Sequence, residues 1–247
     1  MIKFNSPQLF QSKPECVLFD LDNTLYEYEE PHLHALSLVK EKVIKNYLIS
    51  SSQFNTAFIE AKNSVKEKLG LTAASHNRLL YMQKMLELIG AGSQPLFALD
   101  LEQTYWRAFM ARARLFPDVR ELLDDLRLMS IPCVIVTDLT SQIQFRKLIY
   151  FNIDHYFNFI VTSEEVGSEK PNAKPFEEAL KKLSLTSPRV WMIGDNPHKD
   201  IFGAKSSIGA TTLQIVHNGA QPGAGAETPD CYFNDFSEIR KLLKSLQ

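Results

Sequence analysis

CVLFDLDNTLY, residues 16–26, sets four apolar residues directly before a loop that carries Asp20, Asp22, Asn23 and Thr24. A short apolar run that ends in turn-forming residues predicts a strand buried on both faces. Comparable runs recur at Cys133–Val136, Phe159–Val161, Val190–Ile193 and Thr212–Val216. Helix-period segments separate the last four: Ser141–Phe151, Ala173–Leu183 and Lys199–Ser207. Strands alternating with segments long enough for crossovers predict an α/β fold built on a doubly wound parallel sheet. Such sheets take ligands beyond the carboxyl ends of their strands, where Asp20, Asp22, Thr137 and Asp195 fall.

Residues 27–114 break this rhythm, because they contain no convincing strand and predict about four amphipathic helices. Leu33, Leu36, Val39, Val43, Ile44, Tyr47 and Leu48 form one stripe, and Phe54, Ala57, Phe58, Ala61, Val65 and Leu69 a second. Leu79, Leu80, Met82, Met85, Leu86 and Ile89 form a third, closed by Gly90, and a fourth around Leu101, Tyr105, Trp106 and Phe109 follows Pro95. Val119, Leu122, Leu123 and Leu126 then return the chain to the sheet. The expected division is therefore a core of 1–26 with 115–247 and an all-helical insert of 27–114. An insert that enters directly after the first strand's loop is expected to close over that loop. Near the other end, HNGAQPGAGAET (217–228) has no apolar period and predicts a mobile loop.

A chain of 247 residues with 45% hydrophobic content can bury a sizeable core. Its net charge of −2 supplies no field to gather nucleic acid or an anionic membrane, so neither is an expected partner. MIKFNSPQLFQSK at the start lacks an apolar signal region, and no stretch is long enough to span a bilayer, which makes the cytoplasm the expected compartment. Cys16, Cys133 and Cys231 are odd in number and far apart, so buried thiols are expected rather than a disulfide or zinc framework.

Two carboxylates one residue apart at a strand end are hard oxygen ligands suited to Mg²⁺. Taken alone, the same residues also make a helix-capping turn. A calcium loop is excluded, since Leu25 stands where the required Gly belongs and Pro31 where the bidentate Glu belongs. Thr137 ends the run PCVIV, where a hydroxyl and neighbouring N–H groups suit either a phosphate oxygen or a helix cap. Lys170 lies in GSEKPNAKPF (167–176), and IGDNPHKD (193–200) places Asp195 and Asp200 five residues apart. Singly, each is an ordinary surface or turn residue.

In order, and each on its own strand end, these stretches closely resemble the motifs of the haloacid dehalogenase superfamily, in its phosphatase branch with a helical cap. The resemblance spans about residue 15 to 216. It implies a Rossmann-like core and an aspartyl-phosphate mechanism. Asp20 would be the nucleophile and Asp22 the acid and then base. Asp20, Asp195 and the backbone carbonyl of Asp22 would hold Mg²⁺. Thr137 and Lys170 would grip the phosphoryl oxygens, and Asp200 would orient Lys170 or a metal-bound water. A carboxylate approaches an anionic phosphate only where cations offset the repulsion. Because an alcohol needs an acid to depart and a halide does not, Asp22 argues against dehalogenation.

Two positions depart from the family pattern. Asp138 stands where a neutral residue is usual, and a third anion there must face away or bind a substrate hydroxyl. Ala173 replaces a common second proline, a minor change in loop stiffness. Tyr26, directly after the nucleophile loop, is expected either to line the site entrance or to pack at the cap hinge. Arg78, Arg107, Arg112 and Arg114 in the insert suit a second substrate anion, although solvated arginines are the default. His32 and His34 lack further ligands for a metal. The expectation is a phosphatase of a small phosphomonoester such as a nucleotide or sugar phosphate, acting as a monomer or homodimer. A phosphomutase on the same core and a non-catalytic phospho-ligand module are the alternatives.

Overall fold

The computed structural model of the chain describes residues 2–217 and 221–246. The chain divides into two compact units, Met1–Glu27 with Arg114–Gln247 and Tyr28–Ala113.

Among the described residues the first unit holds seven strands: β1 (Lys3–Phe4), β2 (Cys16–Phe19), β3 (Cys133–Thr137), β4 (Phe159–Thr162), β5 (Val190–Gly194), β6 (Thr211–Ile215) and β7 (Cys231–Phe233). They form one sheet in the order β1-β7-β6-β5-β2-β3-β4. All pairings are parallel except the antiparallel edge pair β1–β7. Every residue of β2, β3 and β5 is buried, which is why these strands read as unbroken apolar runs. From β2 the chain builds outward through β3 and β4, then returns to the other side of β2 for β5, β6 and β7. The reversal leaves a topological switch between β2 and β5, where open α/β sheets place ligands.

In the second unit the helices are α1 (Glu29–Tyr47), α2 (Ser51–Leu69), α3 (Arg78–Leu88) and α4 (Pro95–Arg112). Their ends follow local chemistry. Ser50 and Gln53 form a reciprocal capping box at the start of α2, at 3.1 and 2.8 Å, and Asn77 caps α3 through the Leu79 N–H at 2.9 Å. Pro95 occupies the first turn of α4. The α1 stripe departs from expectation at its ends, since Leu33 and Leu48 are exposed and Leu48 leaves the helix with φ of 53°.

The first unit is completed by α5 (Val119–Leu128), α6 (Ser141–Phe151), α7 (Ser163–Val166), α8 (Ala173–Leu183), α9 (Gly203–Ile208) and α10 (Phe236–Ser245). Cys16, Leu18, Val134, Val136, Val161, Val190 and Met192 of the strands pack with Phe176 and Ala179 of α8 and Ala204 of α9 into one buried cluster. Cys16, Cys133 and Cys231 are free and buried. The segment expected as a helix over Lys199–Ser207 is a π-helical turn, Pro197–Phe202, running into α9. Part of the expected 217–228 loop, residues 218–220, lies outside the described residues. Its later part forms a 3₁₀ turn at Gly225–Glu227, tied down by Glu227 Oε1 on His198 Nδ1 at 2.9 Å. No helix among the described residues is long and apolar enough to cross a membrane.

Candidate active site

Sheet register brings the site together. Phe19 of β2 pairs with Ile135 of β3 and with Ile193 of β5, so Asp20 falls level with Val136 and Gly194, and Thr137 and Asp195 follow one residue further along the two flanking strands. The Asp20 N–H donates to the Ile193 carbonyl at 3.0 Å, extending the ladder into the loop. Lys170 arrives from the turn before α8, and its Nζ donates to Asp20 Oδ1 (2.6 Å), Asp200 Oδ1 (2.7 Å) and the Val136 carbonyl (2.9 Å). A lysine ammonium has three protons, and all three are used here. Thr24 Oγ1 donates to the other Asp20 oxygen at 2.9 Å. Asp200 Oδ2 accepts from the Asn196 N–H at 3.0 Å, while Asn196 Oδ1 caps the π turn through the N–H groups of His198 and Lys199.

Gly194 is required by this packing. A Cβ at this position would lie 2.5 Å from Asp200 Cγ, well inside contact distance. Gly194→Ala is expected to displace Asp200 and lower stability by about 1–3 kcal/mol, the usual range for overpacking. Thermal denaturation measures it, and an unchanged midpoint would show that Asp200 is free to move aside.

Ligand oxygens of Asp20, Asp195 and Asp200 lie within 4.8 Å of one another, with one buried lysine among them. Burial pushes the Asp20 carboxyl up to about 7; repulsion from Asp200 and Asp22 adds to this and Lys170 only partly opposes it. Burial likewise pushes Asp195 up to about 8, aided by Asp200 and Asp20. Hard oxygen donors carrying excess negative charge in a buried cluster fit a divalent cation such as Mg²⁺.

Asp22 behaves differently. Burial pushes its carboxyl up, but Lys147 first, then hydrogen bonds from Lys147, Tyr26 and Gln144, outweigh burial and hold it below the usual carboxylate range. Lys147, fully buried on α6, lies 2.5 Å from Asp22 Oδ1. Gln144, one turn earlier, sets Nε2 2.6 Å from Thr137 Oγ1, 2.8 Å from the Asp138 carbonyl and 3.2 Å from Asp22 Oδ2, three acceptors for its two protons.

Residues 17–213 match the family model of the haloacid dehalogenase-like hydrolases. The chain belongs to that family. It is 35% identical over 199 residues to a ribulose-1,5-bisphosphate 5-phosphatase of Halopiger xanaduensis, covering 80% of this chain and 83% of the relative. It is 28% identical to a glyceraldehyde 3-phosphate phosphatase of Methanopyrus kandleri, over 94% of this chain and 98% of the relative. Among solved structures, the haloacid dehalogenase-family phosphatase of Thermococcus onnurineus superposes with a TM-score of 0.69 at 24% identity, covering 94% and 98% of the two chains. The hydrolase YfnB of Bacillus subtilis, bound to magnesium, gives 0.72 at 20% identity, covering 94% and 100%. These two likenesses speak to the fold.

Within this haloacid dehalogenase-like hydrolase, several expected site residues take places that the sequence did not suggest. Tyr26 is fully buried, its hydroxyl donating to Asp22 and its ring against Phe151 at 4.9 Å, which places it beside Asp22. Asp138 has both oxygens engaged, Oδ1 by the Lys170 N–H at 3.1 Å and Oδ2 by Lys199 Nζ at 2.7 Å. Its charge is thereby offset, and it braces the turn that carries Lys170. The Thr137 hydroxyl accepts from Gln144 and donates to the Asp138 carbonyl at 3.3 Å.

Of the arginines expected in the insert, Arg107, Arg112 and Arg114 are exposed, Arg114 lying in the first unit, but Arg78 is buried. Its guanidinium lies over the rings of Tyr81 (5.3 Å), Tyr105 (5.4 Å) and Trp106 (5.6 Å) and donates to the Tyr28 hydroxyl and, at 2.7 Å, the His76 carbonyl. His32 contacts the Tyr105 hydroxyl at 2.6 Å, and burial, then Arg78, push it down to about 4.

Lys147, Gln144 and Lys199 were not singled out from sequence. A signal for the first two exists: they lie in phase with Ile143, Leu148 and Phe151, on the stripe of α6 that must be buried. Polar residues on such a stripe need buried partners.

Proposed function

We propose that this chain is a Mg²⁺-dependent phosphatase that hydrolyses a small phosphomonoester through an aspartyl-phosphate on Asp20. The observation that carries this reading is Lys170 Nζ bridging Asp20 and Asp200 beside Asp195, with Asp22 two residues from Asp20. A carboxylate nucleophile sits there with a fixed cation against it, which an anionic phosphoryl group requires.

Asp20 attacks phosphorus, and Asp22 gives a proton to the leaving alcohol oxygen and later takes one from the hydrolytic water. Lys170 exchanges part of its hydrogen bonding with Asp20, Asp200 and Val136 for a phosphoryl oxygen, and Thr137 lies one residue beyond Val136 on the neighbouring strand. Asp20, Asp195 and the Asp22 carbonyl would hold Mg²⁺, which supplies charge neutralisation at the transferring phosphoryl group. Asp200 keeps Lys170 aimed.

The relatives named for ribulose 1,5-bisphosphate and glyceraldehyde 3-phosphate favour a phosphorylated sugar of three to five carbons as substrate. A cytoplasmic site of action accords with that substrate class. Phosphate release from a panel of these sugar phosphates, phosphoserine, nucleotides and p-nitrophenyl phosphate tests the reading. One strong substrate is expected, and none with folded protein and Mg²⁺ present would overturn it. Chelation by EDTA is expected to stop turnover and added Mg²⁺ to restore it; metal-independent hydrolysis would remove the ligand assignment.

A further inference from the structure

Asp22 is gripped by more of the chain than its distance along the sequence from α6 would suggest. A carboxylate offers about four acceptor positions, two on each oxygen. Lys147 Nζ, at 2.5 Å, and the Tyr26 hydroxyl both donate to Oδ1, while Gln144 Nε2 donates to Oδ2 at 3.2 Å. Among the described residues both positions on Oδ1 are filled, whereas Oδ2 is reached only by an amide whose two protons serve three acceptors, so Oδ2 is the oxygen left with room. The Asp22 side chain keeps 23% of its surface exposed, whereas the Lys147 side chain keeps none. The gripping groups therefore lie on the closed side of Asp22.

The grip is itself rigidly built. Lys147 and Gln144 are one turn apart on α6, and the Lys147 ammonium lies 5.9 Å from the centre of the Tyr26 ring. Gln144 is fully buried and also holds Thr137 Oγ1 and the Asp138 carbonyl. One amide thus ties the Asp22 loop to the loop after β3.

We propose that Lys147, with Tyr26 and Gln144, is a positioning residue for Asp22, and that it fixes Oδ2 as the atom that exchanges the proton during turnover. This rests on the reading of Asp22 as the acid and base. In the first half, the Asp20 oxygen bonds to phosphorus, the ester P–O bond breaks with its pair going to the leaving oxygen, and that oxygen takes the proton from Oδ2. Oδ2 carries one once the anionic phosphate beside it offsets the pull of Lys147 that keeps Asp22 ionised in the free protein. In the second half, a water oxygen bonds to phosphorus, the bond to Asp20 breaks with its pair returning to the carboxylate, and the water proton goes to Oδ2. The proton given is the proton regained. Lys147 touches neither substrate nor reacting atoms, and acts by holding the carboxylate so that one oxygen faces them.

A side chain that only supports the fold would affect all substrates alike, whereas one that positions the acid matters most where the leaving group needs a proton. The test compares kcat and KM of the wild type, Asp22→Asn, Lys147→Met and Tyr26→Phe on p-nitrophenyl phosphate and on an alkyl phosphate. For Lys147→Met, kcat on the alkyl ester is expected to fall about 30-fold or more, against less than about 3-fold on the nitrophenyl ester, with KM within about 2-fold on both. Asp22→Asn is expected to show the same asymmetry more strongly. Tyr26→Phe removes one donor to Oδ1 without changing shape, so it should show a weaker asymmetry even if Lys147→Met does not fold. Equal losses on both esters in Lys147→Met and Tyr26→Phe, with asymmetry kept in Asp22→Asn, would overturn the positioning role alone. No asymmetry in Asp22→Asn would overturn the acid assignment and this inference with it.

Discussion

Asp20→Asn is expected to lower turnover by on the order of 10⁴-fold or more while leaving the fold intact. The change is nearly isosteric and removes the proposed nucleophile. The Asn oxygen still accepts from Lys170, and the amide NH2 that replaces the other Asp20 oxygen faces Thr24, whose hydroxyl can turn to accept from it. The variant also separates catalysis from stability. Asp20 is one of three clustered carboxylates, and burial pushes it up to about 7, so at pH 8 without metal the wild type holds a charge that the cluster resists. The metal-free variant is therefore expected to melt at least as high as the wild type at pH 8 and to gain less from added Mg²⁺. Phosphate release and thermal denaturation with and without Mg²⁺ measure both arms. Retained turnover would exclude Asp20 as nucleophile, and an undiminished Mg²⁺ shift would exclude it as a ligand.

The central strands were legible because β2, β3 and β5 are buried on both faces, and burial forces unbroken apolar runs that need no partner information to recognise. The edge escaped notice for the opposite reason. Lys3–Phe4 and Cys231–Phe233 are two and three residues long, too short for any period, and exist as strands only because they pair with each other and with β6. The carboxylates of the site were legible only as a set, because each alone also suits a turn or a helix cap and only their order on successive strand ends separates the readings. Lys147 and Gln144 were not, since a helix interior separates them from Thr137 and only the turn of α6 brings them to Asp22. Arg78 misled in the same way. Tyr81 lies one turn on along α3, but the rings of Tyr105 and Trp106 and the Tyr28 hydroxyl, which make the burial of Arg78 tolerable, come from elsewhere in the helical unit and are distant in sequence. Legibility thus follows how local the compensating partner is.

Removing the cation instead of the nucleophile should produce the second large effect. Lys170→Met is expected to reduce turnover about 10³-fold, the scale of losing a preorganised charge at a phosphoryl site, and to cost about 3–5 kcal/mol of stability at pH 8 without metal, as expected when one partner of a buried ion pair is removed. The pH dependence follows from the carboxylates. Asp20 and Asp195 have folded-state values of about 7 and about 8, both above the ordinary 3.8, so between those limits the native state binds more protons than the unfolded chain. Stability then falls as pH rises from about 4 towards about 8 in the metal-free wild type. Lys170 moderates that fall by standing 2.6 and 2.7 Å from Asp20 and Asp200. Without it, the same carboxylates resist ionisation further, so the decline should steepen and extend to higher pH. A divalent cation competes with protons for these oxygens, so Mg²⁺ should stabilise both proteins more at pH 8 than at pH 5 and restore part of the variant's loss. Melting temperatures from pH 5 to pH 9, with and without Mg²⁺, decide the matter. A variant whose stability tracks the wild type across that range would mean that the three carboxylates do not depend on Lys170 for their charge.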